Sequence, residues 1–85
     1  MEKYRVVMVF WQDAVNNDCD YMADFDTETE ARLYIHRHMS LFTKQAKGIG
    51  KMFDDVAVDI GIELWHDNED YDCMLWSTEL WRKED

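Results

Sequence analysis

The sequence predicts an α+β domain in ββαββ order: a four-stranded, mainly antiparallel sheet with one amphipathic helix packed on one face. Three observations carry that expectation. Runs rich in β-branched and aromatic residues lie near both ends of the chain. One central segment repeats its apolar residues at helical spacing instead. Polar turns, rich in Asn and Asp, separate these stretches.

The first strand spans residues 3–12, where Val6, Val7, Met8, Val9 and Phe10 make both alternating sets apolar, as expected of a central strand. Asp13 to Cys19 reads as a loop, because Asn16, Asn17 and Asp18 cap turns with their own side chains. The second strand, Tyr21 to Phe25, alternates Tyr21, Ala23 and Phe25 against Asp20, Met22, Asp24 and Asp26. That pattern places one face inward and the carboxylates outward.

Thr27 followed by Glu30 is a capping box, in which the hydroxyl accepts from the Glu30 N–H and the glutamate returns a bond to the Thr27 backbone. Beyond it, Ala31, Tyr34, Ile35, His38, Met39, Phe42 and Ala46 share one side of a helix at about 100° per residue. Arg32, His36, Arg37, Lys44 and Lys47 fall opposite. Gly48 and Gly50 are read as the helix exit, so the helix is expected to stop near Lys47.

Residues 55–66 alternate Val56, Val58, Ile60, Ile62 and Leu64 against Ala57, Asp59, Gly61, Glu63 and Trp65. Asp67 to Asp70 is a polar turn, and residues 71–81 complete a hairpin. Cys73 and Leu75 compete with Met74, Trp76 and Leu80 for its buried face. A right-handed crossover makes strands two and three parallel and leaves strand one between them, antiparallel to both. The whole chain, 1–85, forms a single domain around one core, which its 85 residues suffice to close.

The formal charge is −10, and it is segregated: Arg32 to Lys51 holds five bases and no acid, while both flanks are acidic. Such a body repels nucleic acid and anionic membranes and attracts basic protein surfaces. No run approaches the roughly 18 apolar residues of a membrane span. Residues 1–5 lack the apolar core of a secretory leader, and a cytoplasmic location is expected.

Chemistry-bearing motifs are sparse. Cys19 and Cys73 are isolated thiols without metal-ligand spacing. His36 and His38 lie on different sides of the helix, and Gly48-Ile49-Gly50-Lys51 is too short for a phosphate loop. His66, with Asp67, Glu69, Asp70 and Asp72, invites a cation but matches no calcium loop. No cofactor, metal or catalytic residue is therefore assigned.

With one helix layer, the opposite sheet face must meet water or a partner. Asp20, Asp24, Asp26, Asp59 and Glu63 are expected there as an acidic lattice, with Trp65 as its apolar anchor. Carboxylates about 6.7 Å apart along strands and about 4.8 Å across them approach the charge spacing of nucleic acid. The functional expectation is a non-enzymatic, acidic binding domain that occupies a basic, nucleic-acid-binding surface of another protein. Phage-type inhibitors and anti-CRISPR-like nucleic-acid mimics work in that way. Two alternatives stand beside it: an interaction module that homodimerises through exposed tryptophans, and a small metal-dependent enzyme around His66.

Overall fold

The computed structural model describes residues 1–84. Its elements are β1 (Glu2–Trp11), β2 (Asn17–Phe25), α1 (Glu28–Arg37), α2 (Met39–Met52), β3 (Ala57–His66) and β4 (Asp70–Arg82). The four strands form one sheet in the order β2-β1-β3-β4, antiparallel throughout. β1 therefore holds a central place between β2 and β3, as its apolar character on both faces requires. Val6 to Phe10 are all buried.

Both helices lie on one side. Their Ala31, Ile35, Phe42 and Ala46 close a core over Val6, Met8 and Phe10 of β1 and Val58, Ile60 and Ile62 of β3. The shortest principal extent of the Cα trace is 16 Å, the thickness of one helix layer on one sheet. Among the described residues, the other side of the sheet carries no second layer.

Thr27 caps α1 with its hydroxyl, which accepts from Glu30 N at 3.2 Å and donates to Glu30 Oε1 at 3.0 Å. The glutamate thus returns to the cap's side chain rather than to its backbone. The single expected helix is in fact two. His38 turns the chain between them with φ −111° and ψ 12°. Its ring then sits against Tyr34 and Phe42, with centroids 5.0 and 5.8 Å away. The break lets α1 cover β1 and β2 while α2 covers β3 and β4, which one straight rod could not do over a twisted sheet.

The helix end is also corrected. α2 continues through Gly48 and Gly50 to Met52, and the chain leaves it at Asp54, whose φ is 57°. Gly50 serves a contact instead of an exit: a Cβ there would lie 2.4 Å from Cζ3 of Trp81. The glycine lets the indole ring press on the helix backbone.

Four register shifts interrupt the sheet, one in β1/β2 between Val6 and Val7 and three in β3/β4. Each extra residue reverses the facing of the residues beyond it. This is why β4 has no single alternating reading. Trp76 and Trp81 face the helices opposite Ile62 and Val58, whereas Tyr71, Met74 and Glu79 face the bare side opposite Trp65, Glu63 and Asp59.

Candidate protein-interaction surface

Strand alternation and the shared register place Arg5, Val7, Val9 and Trp11 of β1 on the bare face, beside Asp59, Gly61, Glu63 and Trp65 of β3. β2 adds Asp24, Tyr21 and Cys19, opposite Arg5, Val7 and Val9. Val7 and Val9 are nonetheless only 3% and 5% exposed. Larger side chains of the same face roof them. Met74, for example, lies across Gly61, where a Cβ would meet its sulfur at 2.6 Å.

The dominant feature is a ladder that crosses all four strands. The Arg5 guanidinium lies 5.0 Å from the ring centre of Tyr21 and 4.5 Å from that of Trp65. Trp65 meets Tyr71 edge-on at 5.5 Å. Each step combines dispersion with attraction between a cation, or a ring edge, and a π face. The ladder remains available to a partner, since Tyr21 is 60% and Tyr71 48% exposed.

The carboxylates of this face are engaged. Asp24 accepts from Arg5 Nε at 2.8 Å and from Nη2 at 3.2 Å, and that bond holds the Asp24 carboxyl below its ordinary range. Asp59 accepts from Trp11 Nε1 at 3.0 Å, and Glu63 from Trp65 Nε1 at 3.1 Å. Glu79 is clamped by Arg82 at 2.6 Å. With Lys3 and Arg82 also on this side, Asp24, Asp59, Glu63 and Glu79 face nearly as many bases as acids.

Of the residues expected on the surface, Asp24, Asp59, Glu63 and Trp65 are brought together. Asp20 and Asp26 are not. The irregularity at Val6/Val7 inserts Met22, so Tyr21 moves to the bare face and Asp20, opposite Met8, to the helix side. Asp26 follows the last residue of β2 and precedes the helix cap. The surplus negative charge sits at the rim instead, with Asp18 and Asp20 at the exposed start of β2 and Asp67, Glu69 and Asp70 around the β3–β4 turn. Arg5, Tyr21, Tyr71 and Met74 are site residues that sequence patterning missed. Arg5 carried a signal, being a charge set directly against the apolar run Val6 to Phe10 of the central strand.

Elsewhere, His66 bonds Asp72 at 2.6 Å, with Glu2 3.7 Å away, and the Asp72 bond raises the histidine above its ordinary value. Among the described residues no three His, Cys, Asp or Glu side chains converge as metal ligands. The basic helix face is partly used, because Arg32 pairs with Glu28 at 2.8 Å and lies 5.0 Å over the Trp76 ring. Among the described residues, no helix is long and apolar enough to cross a membrane. Comparisons with known protein families, curated proteins and solved structures find no match to this chain.

Proposed function

We propose that this chain is a protein-binding module that docks the bare face of its sheet on a basic surface of a partner protein. One observation carries the reading: the Tyr21–Arg5–Trp65–Tyr71 ladder is a contiguous row, exposed at its two tyrosine ends, of the three residue types most enriched at binding hot spots. The rim of acids and the −10 charge supply long-range attraction and set the sign of the partner. Because the carboxylates of the face are already bound to Arg5, Arg82 and two indole N–H groups, the aromatics act as the anchor and the acids as steering. This arrangement favours an aromatic-centred contact over substitution for a nucleic-acid backbone, which needs carboxylates without internal partners. Two free cysteines, one of them exposed, fit a reducing cytoplasm as its location.

The test is capture from lysate at low salt with a rising salt gradient, using wild type, Trp65→Ala, and the Asp18→Lys/Asp20→Lys pair. Captured proteins should be basic, Trp65→Ala should lose them, and the rim pair should shift elution to lower salt. Loss of a central tryptophan at a hot spot costs about 2 kcal/mol or more, a roughly 30-fold weakening. Equal capture by wild type and Trp65→Ala would overturn the proposal. A second copy of the chain is the runner-up occupant, favoured by the exposed Tyr21, Tyr71 and Met74 on one face. Sedimentation across a concentration series would reveal it as a salt-insensitive dimer that Trp65→Ala dissociates.

A further inference from the structure

At the end of α2 lies a groove of about 530 Å³. That size falls within the roughly 300–1,000 Å³ of small-molecule sites. Its wall is built from Trp81, whose six-membered ring reaches so close over Gly50 that the helix backbone replaces a side chain there. The part of the indole that does not press on Gly50 lines the groove and offers a surface on which a flat ring can lie.

The charges of the groove are unlike those of the rest of the chain. Lys47, Lys51, Arg82 and Lys83 line it beside Asp54, Asp55 and Glu84, four bases to three acids in a protein whose net charge is −10. Arg82 is held by Glu79 at 2.6 Å, and Lys83 by Asp54 at 2.5 Å. Lys47 and Lys51 make no ion pair among the described residues. They stand four residues apart on one helix face, where like charges repel, although ten surplus carboxylates could have been placed to relieve them. Asp55, 2% exposed, also lines the groove and is fixed by Gln12 Nε2 at 3.2 Å. A buried carboxylate and two ammonium groups without an ion pair among the described residues, lining one groove, suit a ligand that offers a donor to the first and an anion to the second.

We propose that this groove binds a small planar aromatic compound bearing an N–H donor and an anionic group, the pattern of a nucleoside monophosphate. The ring lies on Trp81, the anion meets Lys47 and Lys51, and Asp55 accepts from the donor. The site shares Arg82 with the sheet face but none of the Tyr21–Arg5–Trp65–Tyr71 ladder.

Calorimetric titration with adenosine monophosphate tests it, with adenosine and inorganic phosphate as separate arms. The double variant Lys47→Gln/Lys51→Gln changes only exposed side chains, and circular dichroism verifies its fold. Expected are saturable binding of the nucleotide, at least about tenfold weaker binding of adenosine and of phosphate, and a loss of about tenfold or more in the variant. The indole N–H resonance of Trp81 should shift on titration. Absence of nucleotide binding, phosphate binding as tightly as the nucleotide, an unchanged affinity in the lysine variant, or a shift confined to Trp65 would each overturn the proposal.

Discussion

Two glycines two residues apart in α2 should respond oppositely to the same substitution. At Gly48 a Cβ meets nothing within 4 Å, so Gly48→Ala gains only the helical preference of alanine, about 0.5–1 kcal/mol. At Gly50 the new Cβ would lie 2.4 and 2.6 Å from two ring carbons of Trp81, against an ordinary carbon contact of about 3.5–4 Å. The ring is rigid and packs against the core, so it must move by about 1 Å or push the helix away. Overpacking of this kind costs about 1–3 kcal/mol. After subtracting the helical gain, Gly50→Ala should be destabilised by up to about 2.5 kcal/mol. For a domain of this size 1 kcal/mol is about 4–8 °C in Tm. Thermal unfolding by far-UV circular dichroism should therefore raise Tm for Gly48→Ala and lower it for Gly50→Ala. A Gly50→Ala variant as stable as Gly48→Ala would refute the account of Trp81 packing, and with it the shape of the groove.

Three further outcomes are expected. The carboxyl of Asp24 is held below its ordinary value of 3.8 by Arg5, so the pair stabilises the fold above that pH and loses its contribution as pH falls through the lower folded value. The stability difference between wild type and Asp24→Asn should be constant at neutral pH and shrink in acid, as read from urea midpoints. His66 is raised above 6.5 by its bond to Asp72. Its contribution is full below that pH and fades as pH rises through the folded value, and an NMR titration should place the His66 midpoint lower in Asp72→Asn. Trp11→Phe removes the Nε1 donor to the half-buried Asp59 and should cost about 1–2 kcal/mol, seen as a lower urea midpoint at unchanged slope.

Much of the fold is written locally in the chain. The apolar run Val6 to Phe10 dictates a central strand whatever surrounds it, and Thr27 with Glu30 marks the helix start. The alternation of residues 57–65 assigns Asp59, Glu63 and Trp65 to the bare face, because a strand pointing Val58, Ile60 and Ile62 at the helices has no other option. The candidate surface was legible to that extent: a face with acids and tryptophan interleaved.

What the sequence alone determined, then, is the identity of the elements, their order, the antiparallel sheet around β1 and the excess of negative charge. Tertiary structure decided where the charge and the aromatics finally sit. The turn at His38 has no proline or glycine to announce it and arises from fitting two helices over one sheet. The irregularities in β1/β2 and β3/β4 depend on pairing between strands, and one extra residue is enough to exchange the faces of Tyr21 and Asp20. The pairings that neutralise the expected lattice join residues 19 and 48 positions apart, Arg5 to Asp24 and Trp11 to Asp59. Contacts at such separations are set only when the strands meet, since local periodicity reports which way a side chain points but not what it will find there.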